Sequence, residues 1–238
     1  MRRALADLAP AELAATIEAD GYAMVADFVP ESDLAAARRF TEAGMAVSTT
    51  GYFGVGNGGP LGGTFLEALR DSPEFQSLCR RLCTLATGRE APETGFYQIL
   101  RALEGQDQAR HALRFHYDSY VLTALLPILI PSGGEGRLIL GRQRRPLRRS
   151  YAANLLDKLQ VDNARAQQRL ARRYAGGACE FERLVLKPGN LYFFWGYRTL
   201  HTNEPAPDGA IRATAVYHYL DPHAHAPLKR LLRRVRGS

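Results

Sequence analysis

Residues 186–220 read LKPGNLYFFWGYRTLHTNEPAPDGAIRATAVYHYL. The stretch opens on a turn, Lys187 to Asn190, that leads into the aromatic run LYFFW. A short connection then reaches His201, and a loop rich in Pro and Gly leads to a second run that begins near Arg212. Both runs are short, aromatic or β-branched, and bounded by Gly, Pro, Asn and Asp, which is the pattern of strands. It repeats upstream in TGFYQILRAL from residue 94, LRFHYDSYVLTALLPIL from 113, GRLILG from 136 and CEFERLVLKPG from 179.

The first ninety residues read differently. Helical spacing holds over 10–20, GYAMVADFV (21–29) has the composition of a strand, and PESDLAAARRFTEAG (30–44) is a helix with Pro30 and Ser32 at its start and Gly44 at its end. SPEFQSLCRRLCTLATG is another helix, with Ser72 as cap, Pro73 in the first turn and Gly88 at the end. Helices followed by a run of strands indicate an α+β protein with antiparallel sheets. A polar helical insertion over about 150–175 interrupts the strands. STTGYFGVGNGGPLGGTF (48–65) contains a G-x-G-x-x-G at Gly54, Gly56 and Gly59, but no strand is evident before it and Pro60 follows, so a mobile loop is expected rather than a nucleotide cradle. With no internal repeat and no linker, 1–238 is expected to be a single domain.

The chain has 238 residues, 46% of them hydrophobic, enough for one sizeable core. VLTALLPILI falls well short of the ~20 residues of a membrane span. MRRALADLAPAELAATIEADG lacks the apolar core of a signal peptide, and an intracellular, cytoplasmic protein is expected. Cys79 and Cys83 share one helix face and read as buried thiols; Cys179 stands alone. The net charge of +7 concentrates in GRLILGRQRRPLRR (136–149) and in a basic tail, 228–238. Either these are solvated surfaces, or they meet an anionic membrane surface or an anionic substrate.

His116 and Asp118 stand two apart at the head of an apolar run, and residues i and i+2 of a strand point the same way. They are either a polar patch at a sheet edge or two ligands of a metal. With His201 they complete two imidazoles and one carboxylate, a set that occupies one face of Fe(II) and leaves open positions for an oxo acid and O2. Arg212 offers a fork for the far carboxylate of that acid, and Thr214, next on the same face, a hydroxyl. Tyr97, Gln98, Arg101 and Thr123 are further candidates for the pocket wall. His218, with Lys229 eleven positions on, competes with His201 for the distal place.

The ordered set His116-x-Asp118…His201…Arg212-x-Thr214 resembles the Fe(II)/2-oxoglutarate-dependent dioxygenases, and most their phytanoyl-CoA hydroxylase-type branch. EADGYAMVADFVPESDLAAARR, PSGGEGRLIL and KPGNLYFFWGYRTLHTNEPAP resemble other parts of that branch, with Asn190 where an aspartate is commoner. The resemblance covers about 18–45 and 94–221. It implies a double-stranded β-helix (jelly-roll) core over about 94–221 after an N-terminal helical part over about 1–90. It also implies His116, Asp118 and His201 on Fe(II), and 2-oxoglutarate held by Arg212, Thr214, Tyr97 and Thr123. The reaction implied is hydroxylation with O2, ascorbate serving as reductant. The expected substrate is small or lipid-linked and anionic, for which the Kdo sugar of lipid A-type glycolipids is one guess. The alternatives are a nucleic-acid demethylase of the same fold, whose second arginine is not found here, and a non-catalytic jelly-roll binding protein.

Overall fold

The computed structural model describes residues 5–104 and 112–236. The two N-terminal arginines and the last two residues of the basic tail lie outside them. A short 3-10 turn, Leu5–Asp7, precedes α1 (Pro10–Asp20), β1 (Ala23–Val25), α2 (Glu31–Ala46), β2 (Tyr52–Val55), α3 (Phe65–Asp71) and α4 (Pro73–Thr87). Seven strands follow: β3 (Tyr97–Leu103), β4 (Leu122–Leu129), β5 (Leu138–Arg144), β6 (Phe181–Leu184), β7 (Leu191–Phe194), β8 (Thr199–Asn203) and β9 (Arg212–Tyr219). Helices α5 (Tyr151–Asp162) and α6 (Ala164–Ala175) sit between β5 and β6, and α7 (Pro227–Arg236) closes the described chain.

The strands form two antiparallel sheets: six strands in the order β1-β7-β4-β9-β3-β2, and three in the order β6-β5-β8. Register assigns the faces of the larger sheet. Tyr97, Ile99 and Arg101 on β3 lie opposite His218, Val216 and Thr214 on β9, which in turn lie opposite Thr123, Leu125 and Pro127 on β4. The alternate residues, Leu100, Ala102, Leu122, Ala124, Leu126, Ala213, Ala215 and Tyr217, pack against α1 to α4 in the main core. The inner face meets the smaller sheet through Leu125, Tyr192, Phe194, Leu138, Leu140 and Leu186. The outer face of the smaller sheet is covered in part by α6, where Phe115, Ile139, Tyr174 and Phe181 cluster.

Helix α4 follows the expected rules. Ser72 accepts the Phe75 amide at 3.2 Å, Pro73 starts the helix, and Gly88 ends it with φ 66°. Its buried residues, Phe75, Leu78, Cys79, Leu82 and Cys83, fall on one stripe, and burial raises the pKa of both thiols. Helix α2 departs from expectation. Pro30, not Ser32, occupies the cap position, and the helix runs through Gly44 to Ala46. Gly44 is there because a side chain would strike the ring of Phe53 on β2. That strand is itself a correction: Tyr52–Val55, expected to be loop, forms the sheet edge against β3.

The basic segments also read differently in three dimensions. Arg145 is buried, donating to Asp157 at 2.8 Å, Asn154 at 2.7 Å and the Tyr197 carbonyl at 2.8 Å. Arg148 shares Asp157, Arg142 pairs with Glu182, and Arg144 donates to the Ile17 carbonyl. The tail is helical over Pro227–Arg236, and Lys229 is buried on Asp221. These cations are spent on internal contacts. No helix among the described residues is long and apolar enough to cross a membrane.

Candidate metal centre

His201 lies within β8, not on the short connection expected for it, with Leu140 of β5 opposite. His116 and Asp118 precede β4, which begins only at Leu122, so they are not on the regular strand expected for them. Their backbone is extended all the same. His116 and His201 exchange two amide–carbonyl hydrogen bonds of 3.0 Å as an isolated antiparallel bridge, and the Asp118 amide donates to the Gly196 carbonyl at 2.9 Å. The i, i+2 argument therefore holds without a strand.

This pairing gathers one ligand atom from each of His116, Asp118 and His201 within 4.8 Å of one another. His116 Nε2 is 3.8 Å from Asp118 Oδ1, and His201 Nε2 is 3.5 Å from Asp118 Oδ2. Each imidazole has its Nδ1 2.9 Å from a main-chain carbonyl, that of Arg114 for His116 and that of Thr199 for His201. A carbonyl can only accept, so Nδ1 carries a proton and Nε2, the other ring nitrogen, faces the carboxylate. Metal-binding histidines are oriented in this way. Phe194 stands edge-on to His201 at 4.9 Å.

Burial alone would raise the Asp118 pKa. The surrounding imidazoles, His201 foremost and then His218, reverse that and hold it well below the usual carboxylate range. Burial and the neighbouring His201 lower His116 to about 4, although its ring edge is exposed at the mouth. Burial pulls His201 down too, but Asp118 outweighs it and the net shift is upward. The carboxylate is further fixed by Thr123, whose hydroxyl donates to Oδ2 at 2.5 Å. Gly196 is required beside it, because a Cβ there would collide with the Asp118 carboxylate and the Thr123 hydroxyl. Trp195, immediately before that glycine, is wholly buried and its indole N–H has no hydrogen-bond partner among the described residues.

The remaining expected residues, Gln98 apart, spread along the same inner face. Arg212 is 5% exposed, donating to the Gly136 carbonyl at 3.0 Å and to Asn203 Oδ1 at 2.7 Å. Both acceptors are neutral, and among the described residues it has no carboxylate partner. Burial and nearby Arg101 lower its pKa to about 10, so it stays charged at neutrality. Thr214 is buried opposite Arg101. Thr123 is committed to Asp118 and also lies 3.2 Å from His218 Nδ1. Tyr97, 39% exposed, clusters with Tyr120 and His218, each ring within 6.2 Å of the other two. Gln98 faces away, its amide donating to the Leu66 carbonyl. His218 touches the site through Asp118 and Thr123, but Lys229 is held by Asp221, so the rival His218/Lys229 pair does not assemble.

Sequence reasoning missed what supports His116. Gln167 on α6 accepts the Phe115 amide at 2.9 Å and donates to the Phe115 carbonyl at 2.7 Å. Tyr117, between His116 and Asp118, lies under the Arg145 guanidinium at 4.1 Å, with Tyr197 on the same cation at 4.4 Å. Lys158 on α5 reaches the Ser119 hydroxyl at 2.9 Å. The insertion thus braces the segment that carries His116 and Asp118. A helical pattern interrupting strands was the only sequence signal for it.

Comparison with known proteins bears on the fold. A prolyl hydroxylase from Trichoplax adhaerens, solved with a peptide fragment of hypoxia inducible factor, superposes with a TM-score of 0.52 at 14% identity, over 90% of this chain and 89% of that one. The non-heme alpha ketoglutarate dependent epimerase SnoN of nogalamycin biosynthesis gives 0.51 at 14% identity, over 89% and 82%. EctD from S. alaskensis, solved with 2-oxoglutarate and 5-hydroxyectoine, gives 0.51 at 14% identity, over 90% and 78%. The fold is that of the 2-oxoglutarate-dependent iron oxygenases. No protein-family model and no curated protein matches the sequence. The matches support this oxygenase fold without singling out its phytanoyl-CoA hydroxylase-type branch, and their names span an epimerase as well as hydroxylases.

Proposed function

We propose that the chain is an Fe(II)- and 2-oxoglutarate-dependent oxygenase, acting as one domain, in which His116, Asp118 and His201 hold the metal. The observation that carries this reading is the pair of Nδ1 contacts that turn both Nε2 atoms onto a carboxylate held ionised. The donor set fits Fe(II): two neutral nitrogens and one anionic oxygen, gathered so that part of the coordination sphere is left open. When bound, the iron and 2-oxoglutarate would supply the oxidative chemistry that breaks a substrate C–H bond.

The protein's own part is binding and orientation. Arg212, a buried cation on neutral acceptors, is the seat for the distal carboxylate of the oxo acid, and Thr214 lies beside it. A guanidinium left so exposed to desolvation is costly unless an anion joins it. Thr123 holds the Asp118 carboxylate in place. Tyr97 and Tyr120 wall the outer end of the pocket beside His218. Hydroxylation is the proposed outcome. An acidic sugar such as Kdo is one proposed substrate, tested by adding free Kdo. Arg142, Arg144, Arg145 and Arg148 have internal partners; contact of the other basic residues with a membrane is a further proposal, and sedimentation with anionic vesicles tests it.

The reading is tested by succinate formation from 2-oxoglutarate under air with Fe(II) and ascorbate. Slow turnover is expected in the wild type and none in His116→Ala. If the wild type forms no succinate and, without oxygen, develops no visible metal-to-oxo-acid absorption band, the oxygenase reading is wrong.

A further inference from the structure

The charges around the candidate centre do not balance. Most of the chain's basic side chains near it are paired: Arg145 and Arg148 with Asp157, Arg137 with Glu204, Lys229 with Asp221. Lys158 is different. It projects from the inserted helix α5, is half-buried, and its ammonium donates at 2.9 Å to Ser119, a neutral hydroxyl one residue beyond Asp118. It lies within electrostatic reach of Asp118, His116, His201 and His218. Apart from Asp118, the acid that acts on it is Asp162, exposed one turn along the same helix and forming no ion pair with it. Burial accordingly lowers its pKa.

Arg101 is the second unmatched cation. It sits on β3 opposite Thr214, exposed, within reach of both Arg212 and His218, and has no carboxylate partner among the described residues. On the proposed reading, Fe(II) and a dianionic oxo acid cancel, and Asp118 offsets Arg212. Lys158 and Arg101 are left over. A half-buried ammonium on a neutral partner carries a desolvation cost that an incoming anion would relieve.

We propose that Lys158, assisted by Arg101, forms an anion-binding subsite beside the metal centre, and that the substrate oxidised there carries a carboxylate or phosphate group. The subsite rests on the oxygenase reading for its role but not for its existence. Its location explains the insertion: α5 brings the recognising charge to a centre whose ligands come from elsewhere. The cluster of Tyr97, Tyr120 and His218 gives the same mouth an aromatic wall, against which the apolar part of such a molecule can lie. Lys158 dominates because water screens the exposed Arg101 more strongly.

The experiment is an oxygen-free calorimetric titration of the full chain, loaded with Fe(II) and 2-oxoglutarate, with phenyl phosphate, isophthalate and neutral benzyl alcohol. At least one anion is expected to bind more tightly than the alcohol, and which one does separates a phosphate from a carboxylate substrate. Lys158→Gln is expected to weaken that binding about tenfold, the loss of one charge-assisted hydrogen bond. Lys158→Arg should restore most of it, and Arg101→Gln should weaken it less. Arg212→Gln should instead act mainly on 2-oxoglutarate. Anions binding no better than benzyl alcohol, or equally to wild type and Lys158→Gln, would overturn the proposal. If the metal-to-oxo-acid band never forms but anion binding still depends on Lys158, the iron reading fails and the subsite stands. If the band forms and anion binding ignores Lys158, the reverse holds.

Discussion

His116 and His201 are oriented alike, each with Nδ1 on the carbonyl two residues before it, yet the backbones that carry them are of different kinds. His201 belongs to β8 and is paired to β5 on one side and to the His116 segment on the other. His116 has only that bridge, and beyond it depends on Gln167, which grips both polar groups of Phe115, and on Arg145 stacked over Tyr117. His201 is held by the sheet, and His116 by an insertion that reaches over to its segment. The comparison teaches that α5 and α6 are part of the centre's scaffold and not merely a cover.

The largest expected effect would come from removing a ligand from either half. Asp118→Ala and His201→Ala should each abolish Fe(II) binding by calorimetry and bring succinate formation below detection. Gly196→Ala comes next, because the new methyl displaces the Asp118 carboxylate that both halves share. We expect metal affinity to fall about 10–100-fold, the range for disturbed outer-shell contacts, with the near-ultraviolet dichroism of the fold retained. Native dichroism with native affinity would mean that the carboxylate does not need this cradle.

Gln167→Ala sharpens the contrast itself. Leaving the Phe115 backbone groups unpaired costs about 1–3 kcal/mol locally. Hydrogen exchange should accelerate at 113–118 while β8 amides stay protected, and metal affinity should fall about tenfold. Equal acceleration in β8 would refute the distinction between the two halves. The smallest effect is in pH. His116, lowered to about 4, is already neutral in the metal-free protein at ordinary pH, whereas Asp118 raises the pKa of His201. Below that raised pKa the metal must displace a proton from His201, so affinity should climb about tenfold per pH unit and then level off. Release of one proton, measured in two buffers of different ionisation enthalpy, checks it. Release of two would mean that His116 is protonated as well.

Much of this was legible in the sequence because it depends on local rules. The turn at Lys187–Asn190 and the caps of α4 survive as read, and the structure brings His116, Asp118 and His201 together. What failed depended on partners far along the chain. Gly44 looked like a helix end because nothing local reveals that Phe53 presses on it. Tyr52–Val55 looked like loop because Gly54, with Gly51 and Gly56 on its flanks, disfavours a strand until β3 supplies the hydrogen bonds. The arginines at 142–149 looked free because Glu182, Asp157 and the Ile17 carbonyl come from elsewhere. They suggested an anionic partner; among the described residues, Lys158, Arg101 and Arg212 are cations near the centre that form no ion pair.

Trp195 has a practical consequence. It is the chain's only tryptophan, it is sealed from solvent, and the glycine after it lies beside the Asp118 carboxylate. Nearly all emission excited at the red edge of the absorption band therefore originates one residue from the centre. Quenching by an arriving transition ion, and a red shift when the interior opens to water, give two separate optical signals from the unlabelled molecule, one for loading and one for unfolding.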